Sequence, residues 1–333
     1  MELSEFPRER LAFLPTPLVE LPRFSAALRG ARGGPRVYMK RDDQTGLGAG
    51  GNKVRKLEFL VGDAIARGCD VLITGGAAQS NHCRQTAAAA ASRGLECHLL
   101  LGGEAPARLE GNLVLDDLFG ARIRWCGPRR KGEDIPALAE RFRAEGRRPY
   151  VIPYGGSSGL GALGFAAAAA ELKAQLDEGG LRPRRLVFAS SSGGTQGGLM
   201  LGARLFGLEA ELCAVCIDKA ADEGIDFADR VLAVANEAAG LVGLGAPFAP
   251  ADVILRREFT GEGYGVVGGL ERRAIQLLAE TEGILVDPVY TGRALGGLIA
   301  MIEGGEFGPR DSVLFWHTGG MPAIFAYADS LAR

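Results

Sequence analysis

What most constrains the fold is the regular alternation of short apolar runs with helix-patterned stretches along nearly the whole chain. Apolar, β-branched-rich runs fall at 37–40, 71–74, 97–101, 122–126, 150–153, 185–190, 211–217, 284–286 and 313–317. Between them residues repeat at helical spacing; over 52–67, Leu57, Leu60, Val61 and Ile65 mark one face. Parallel strands need a crossover of about a dozen residues or more, usually a helix, so this alternation predicts an α/β chain with open parallel sheets. Alanine tracts at 87–91 and 166–170 fit that scheme, because Ala favours helix and its small side chain allows close packing on a sheet. Glycine clusters at 46–51 and 155–161 are the natural breaks, and the residues between them make four strand–helix units. The expected organisation is a smaller α/β domain at 50–155 inserted in a larger one made of 1–49 and 156–333. Ligands of open α/β sheets gather beyond the carboxyl ends of strands, so the cleft between the two is where chemistry is expected.

Composition removes several function classes. The 50 glycines follow no three-residue period, which excludes collagen, and the recurrent apolar runs exclude disorder. Lys plus Arg is 38 against 40 Asp plus Glu, a net charge of −2 that offers no reason to expect nucleic acid or an anionic membrane. Charged or polar residues interrupt every apolar stretch before the roughly 18 residues a membrane span needs. The first residues, Glu2-Leu3-Ser4-Glu5, carry no apolar run, so a soluble cytoplasmic protein is expected. Six cysteines are scattered and expected to be reduced. Cys213 and Cys216 form C-x-x-C inside a strand-like run, where alternation sends the two side chains to opposite faces. His82, His98 and His317 are too separated for metal-ligand spacing, and no metal is expected.

Four motifs carry the candidate chemistry. Gly46-Leu47-Gly48-Ala49-Gly50-Gly51 contains G-x-G-x-x-G, a dinucleotide fingerprint, but polar Arg41–Gln44 separates it from the strand it should follow directly. An NAD-dependent dehydrogenase therefore remains only as an alternative. In the following Gly51-Asn52-Lys53-Val54-Arg55-Lys56, Asn52 is expected to cap a helix and Lys53 to sit in its first turn. The helix dipole and the nearby Arg55 and Lys56 disfavour an ammonium ion there. Lys53 is thus either a Schiff-base nucleophile or a solvated helix-end lysine. Gln79-Ser80-Asn81-His82 follows a strand and opens an Ala-rich helix, a place suited to binding a carboxylate, though Ser80 or Asn81 would also serve as a plain cap. Ser190–Gly198 follows another strand with small residues and hydroxyls suited to a phosphate cup, without the lysine that Mg-nucleotide chemistry would need. Late in the chain, Tyr290 and Thr318 each follow a strand-like segment and precede a glycine-rich helix start, so they can face the same cleft, while a lone tyrosine such as Tyr264 or Tyr290 is equally a half-buried packing residue.

Taken together, Lys40-Arg41-Asp42-Asp43, Gly50-Gly51-Asn52-Lys53-x-Arg55-Lys56-Leu57-Glu58, Gln79-Ser80-Asn81 and His317-Thr318-Gly319-Gly320 resemble the D-cysteine desulfhydrase and 1-aminocyclopropane-1-carboxylate (ACC) deaminase family. These are pyridoxal-phosphate enzymes of the tryptophan-synthase β type (fold type II), and the likeness runs from Phe6-Pro7 to Gly320. The resemblance implies two α/β domains with the cofactor between them, usually in a homodimer. It makes Lys53 the Schiff-base lysine and Asn81 the partner of the cofactor's 3′-oxygen. Ser80 would hold the substrate carboxylate or relay protons, within a substrate-binding segment Gln79, Ser80, Asn81 and His82. Ser192, Gly193, Gly194 and Thr195 would cup the phosphate, Thr318 would meet the pyridine nitrogen, and Lys53, Tyr264 and Tyr290 would share the proton transfers.

ACC deaminases carry Glu after the second tyrosine and Leu before the late glycine pair. This chain has Thr291 and Thr318 there, as D-cysteine desulfhydrases do. The expected reaction is α,β-elimination of D-cysteine to pyruvate, ammonia and hydrogen sulfide. A cysteate sulfo-lyase, a lyase for other β-substituted alanines, ACC deamination, or a cofactor-binding regulatory protein are the alternatives.

Overall fold

Ten strands form two separate sheets in the computed structural model, which describes residues 2–28, 33–129, 132–218, 224–245 and 247–332. The larger sheet uses β1 (Leu18–Glu20), β2 (Arg36–Arg41), β7 (Arg185–Ser190), β8 (Glu211–Cys216), β9 (Leu255–Arg256) and β10 (Ser312–His317), in the order β1-β2-β10-β7-β8-β9. The smaller sheet uses β3 (Val71–Gly76), β4 (Glu96–Leu101), β5 (Arg122–Trp125) and β6 (Pro149–Val151), in the order β5-β4-β3-β6. Every pairing is parallel except β1 with β2, a three-residue edge strand that the apolar pattern had not marked. The chain thus leaves the larger sheet after β2, builds the whole smaller sheet, and returns.

The helices are α1 (Pro22–Leu28), α2 (Lys53–Ala66), α3 (Asn81–Arg93), α4 (Asn112–Leu118), α5 (Ile135–Ala144), α6 (Gly159–Glu178), α7 (Gly194–Phe206), α8 (Phe227–Leu241), α9 (Gly269–Glu282) and α10 (Thr291–Glu303), followed by short C-terminal turns. They cover both faces of each sheet because successive strand residues point opposite ways. Val313 and Phe315 of β10 pack with α1, α9 and α10, whereas Leu314 and Trp316 pack with Phe165, Ala168 and Leu172 of α6. In the smaller sheet, Leu72 and Leu99 meet α2 and α3, while Val71, Ile73 and Leu100 meet α5. Cys213 and Cys216 obey the same rule, lying in different cores on either side of β8.

Two expectations need correction. The segment 284–286 is no strand: the Leu285 carbonyl accepts from His317 Nε2 at 2.9 Å instead of from a strand neighbour. On α2 the buried face is Leu57, Leu60, Val61 and Ala64, and Ile65 points outward.

Candidate active site

The pocket between the sheets is built from the ends of parallel strands and the helices that follow them. It is lined by Asn52, Lys53, Asn81, Ala189–Gly193, Thr195, Tyr290 and Thr318 and encloses about 400 Å³, counting the part open to solvent.

Lys53 opens α2, and a buried ion network holds this helix in place. Arg55 donates from Nε and Nη2 to the Asp42 carboxylate, both at 2.7 Å, and from Nη1 and Nη2 to Glu171 on α6 at 3.1 and 2.9 Å. Lys40 donates to Glu171 at 2.5 Å and to the Thr16 carbonyl at 2.7 Å. The charged motif around 40–42 and 55 therefore fastens β2, α2 and α6 together behind the lysine. Lys53 itself has no hydrogen-bond or ion-pair partner among the described residues, and burial lowers its pKa to about 8. Burial, rather than Arg55 or the helix end, frees the amine; Arg55 is neutralised by its carboxylates. Asn52 does not cap the helix through its side chain. Its Nδ2 donates to Thr195 Oγ1 at 3.2 Å, linking the start of α2 to the start of α7.

Ser80 and Asn81 stand where β3 gives way to α3. Ser80 Oγ accepts from Cys83 N–H at 3.2 Å, so it caps α3 and keeps its own hydrogen to donate. Asn81 Oδ1 accepts from Asn112 Nδ2 at 3.0 Å, leaving its Nδ2 turned toward the pocket. Gln79 and His82 also have partners within the protein. Gln79 donates from Nε2 to the Glu110 carbonyl and accepts from Asn112 N–H, at 3.0 and 2.9 Å. His82 Nε2 meets Thr74 Oγ1 at 3.0 Å; because that hydroxyl donates to Ile152 O, the imidazole donates to it. Burial, with Lys53 and Lys56 nearby, keeps His82 neutral.

The loop after β7 forms a cradle. Gly193 has φ +87°, open to glycine, and turns the chain into α7, whose first N–H groups point out of the helix end. A Cβ on Gly194 would lie 2.7 Å from Ser157 Oγ and 2.8 Å from Lys56 Nζ, so a side chain there would have to displace both. Ser157 joins this floor, donating to Ser192 Oγ at 2.8 Å and accepting from Gly194 N–H at 3.1 Å. Ser157 and Lys56 were not singled out in the sequence, because nothing in their local spacing places them under the loop.

Tyr264 and Tyr290 share a hydrogen bond of 2.5 Å between their hydroxyls, and burial raises both pKa values well above the ordinary range. Thr318 follows β10, where its carbonyl accepts from Asn52 N–H at 3.0 Å. His317 holds the turn, since Gly319 N–H donates to its Nδ1 at 3.1 Å. Thr291, the other threonine of the substrate argument, does not line the pocket: its hydroxyl donates to Asp287 Oδ1 at 2.5 Å. Asp287 also accepts from the N–H groups of Val289, Tyr290 and Thr291 and so sets the tyrosine's backbone.

A family of proteins described as pyridoxal-phosphate dependent enzymes matches residues 10–319. The chain belongs to it. Among curated relatives of this pyridoxal-phosphate family, the D-cysteine desulfhydrase of Salmonella schwarzengrund is 45% identical over 332 residues, 98% of this chain and 97% of that one. The D-cysteine desulfhydrase of Klebsiella pneumoniae is 44% identical, again over 98% and 97%. A crystal structure of an ACC deaminase homologue superposes with a TM-score of 0.89 at 37% identity, covering 99% of this chain and 96% of that one. A fungal L-serine ammonia-lyase from Rhizomucor miehei, at 19% identity and TM-score 0.65, shares the fold across 97% of this chain and 98% of its own.

Pyridoxal phosphate is thus the cofactor, and the chain is an enzyme of fold type II. The nicotinamide reading of 46–51 falls with that finding. Those glycines do not form a strand-to-helix turn: a 3-10 turn at Asp42–Gln44 intervenes, and a Cβ on Gly50 would strike the Asp43 carbonyl at 1.9 Å. The pocket fits the pyridoxal group on its own chemistry. It offers an amine freed near neutral pH, an unpartnered amide donor, and a side-chain-free cradle at a helix N-terminus for a phosphate. No helix among the described residues is long and apolar enough to cross a membrane.

Proposed function

We propose that this enzyme is a lyase that converts D-cysteine and water to pyruvate, ammonia and hydrogen sulfide. The relatives named D-cysteine desulfhydrase support the substrate. The observation that carries the reading is the pocket wall: Thr318 contributes a neutral hydroxyl, and no carboxylate lines the pocket among the described residues. A carboxylate at the pyridine nitrogen would keep it protonated and maximise electron withdrawal, as opening an unactivated cyclopropane demands. A threonine hydroxyl leaves the ring nitrogen largely neutral, which suffices when a thiolate departs from Cβ.

When bound, pyridoxal phosphate supplies the electron sink for the pair left on Cα after proton removal. The roles proposed for the chain come from the family resemblance, and the arrangement described above supports them. Lys53 would hold the cofactor and take the Cα proton with an amine that burial leaves about half unprotonated near pH 8. The Tyr264–Tyr290 pair, held protonated by burial, gives a proton at the departing sulfur. The free hydrogen of Ser80 and the N-terminus of α3 receive the substrate carboxylate. Asn81 Nδ2 would donate to the cofactor's 3′-oxygen, and Thr318 would meet its ring nitrogen. Ser192, Gly193, Gly194 and Thr195 cup its phosphate.

The same reading includes a smaller domain at 50–155 inserted in a larger one of 1–49 and 156–333, supported by the two sheets and the order in which the chain builds them. It also includes a cytoplasmic homodimer. All six cysteines are free, and Phe13, Leu118 and Phe325 leave large apolar side chains exposed for a second copy to cover. Light scattering on the purified enzyme tests the dimer, and a monomer at micromolar concentration refutes it.

Pyruvate release measured across D- and L-cysteine, cysteate, β-chloroalanine and ACC tests the substrate. D-cysteine is expected to be turned over best. ACC turnover above that of every β-substituted amino acid would overturn the threonine argument, and faster turnover of L-cysteine would overturn the stereochemistry. Loss of the cofactor's visible colour in Lys53→Ala tests the lysine and separates an enzyme from a regulatory protein that merely kept the fold.

A further inference from the structure

Asn112 lies wholly buried at the start of α4, far from Asn81 in sequence and in contact with it in space. Its hydrogen bonds have directions fixed by main-chain groups. Asn112 Nδ2 donates to the Gln79 carbonyl at 2.9 Å, and a carbonyl can only accept, so the amide cannot be turned the other way. Its second Nδ2 hydrogen points at Asn81, which must answer with Oδ1. Gln79 closes the arrangement: Nε2 is committed to the Glu110 carbonyl, so Oε1 is the end left to accept from Asn112 N–H. On the far side of Asn81, Nδ2 has no protein partner among the described residues. It stands 2.8 Å from where a Cβ on Gly320 would lie, so the absence of a side chain there gives it room.

We infer that Asn112 is a positioning residue that fixes the Asn81 amide as a hydrogen-bond donor toward the cofactor. An amide is nearly symmetric in shape, and without such a constraint Asn81 would offer either a donor or an acceptor to the cleft. The inference rests on the proposed contact between Asn81 and the cofactor's 3′-oxygen. It adds that the sign of this contact is decided outside the pocket, by a relay through Glu110, Gln79 and Asn112.

The test uses the holoenzyme. Asn112→Asp keeps the shape but turns the donating end into an acceptor, so Asn81 swings its Nδ2 toward residue 112 and presents Oδ1 to the cleft. Asn112→Ala, a milder change, removes the constraint and lets both orientations populate. A donor at the 3′-oxygen draws charge from it and weakens its hold on the proton shared with the lysine nitrogen; an acceptor does the reverse. The pH midpoint of the cofactor's visible band is expected to rise by about one unit in Asn112→Asp, and by less in Asn112→Ala. The kcat for D-cysteine is expected to fall about tenfold. In an Asn81→Ala background the same changes at 112 should move the midpoint no further, which a merely structural role would not produce.

Wild-type midpoints in both Asn112 variants, alongside a shifted Asn81→Ala, would overturn the inference and spare the contact. Additive shifts would do the same. An unmoved midpoint in Asn81→Ala would instead remove the contact and the inference with it. A holoenzyme crystal structure with Asn112 bonded elsewhere than to Asn81 overturns the inference even if no variant folds.

Discussion

Replacing Asp42 with Ala probes whether the charged motif at 40–42 and 55 acts as a fastening for the lysine helix. In the folded chain Arg55 and Asp42 are almost fully sealed from solvent, with side chains 2% and 0% exposed. Asp42 accepts two bonds from Arg55 at 2.7 Å and one from Thr16 Oγ1 at 2.9 Å. Burial alone would lower the Arg55 pKa, yet Asp42 and Glu171 outweigh it and hold it above its ordinary value. Removing one partner of a buried pair costs about 3–5 kcal/mol, because the other charge is left unmatched. Glu171 still reaches two guanidinium nitrogens, so the cost belongs near the lower end, about 3 kcal/mol. Unfolding entropy of about 2.1 cal/mol/K per residue turns that loss into a fall of about 4 °C in Tm for a chain this long. Asp43→Ala is the matched control: its pair with Arg41 lies near solvent and is worth about 1 kcal/mol or less. Calorimetry of both variants as holoenzymes, with cofactor content measured beside it, is the assay. Equal melting points for the two variants, or an Asp42→Ala melt within a degree of wild type, would refute the reasoning.

Three further outcomes follow from the site and its supports. The rate at which apoenzyme takes up added pyridoxal phosphate should climb with pH through a midpoint at about 8 and level off above it, as the Lys53 amine becomes free; a midpoint near 10.5 would show an ordinary, solvated lysine. Thr318→Leu removes one hydroxyl contact worth about 1–3 kcal/mol, so cofactor content should stay near wild type while kcat falls about tenfold; normal turnover per bound cofactor would reduce Thr318 to an anchor. Burial opposes ionisation of Glu171, but Arg55 and Lys40 outweigh it and bring its pKa to about 2 from 4.5. A lowered carboxylate pKa gives stability that is present above pH 4.5 and lost as pH falls toward 2, so Glu171→Gln should flatten acid unfolding across that window; an unchanged acid profile would contradict it.

The fold was legible because strand and helix periods leave marks in a single chain. Runs such as 71–74 and 185–190 became central strands, and their neighbours in sequence became the covering helices. Short edges were not legible: β1 and β9 bury too little to show a pattern, while 284–286 was apolar enough to read as a strand yet has its carbonyl taken by His317. In the site, the family likeness named Lys53, Ser80, Asn81 and Thr318; Lys53, Asn81 and Thr318 line one pocket, and Ser80 caps the helix that Asn81 opens. What stayed hidden was orientation. Gln79 and His82 look like binding residues beside Ser80, and nothing in the spacing showed that Gln79 Nε2 reaches Glu110 or that His82 Nε2 reaches Thr74. Asn52 reads as a cap and instead bridges to Thr195 across 143 positions. Thr291 looked equivalent to Thr318, yet its hydroxyl is spent on Asp287. Sequence spacing reports which residues share an element, whereas partners in another element are set by packing.

The buried cysteines bear on how such an enzyme survives its own chemistry. A catalyst that consumes a free thiol and releases sulfide is bathed in exchange partners, and oxidised cysteine would form mixed disulfides with any accessible thiolate. Little is on offer here: Cys83, Cys97, Cys126, Cys213 and Cys216 are buried, Cys69 alone is partly exposed, and burial raises the pKa of all six. Cys213 and Cys216, close in sequence, are kept apart by the thickness of the sheet between them. Protein and substrate carry the same functional group, and only the substrate's is left reactive.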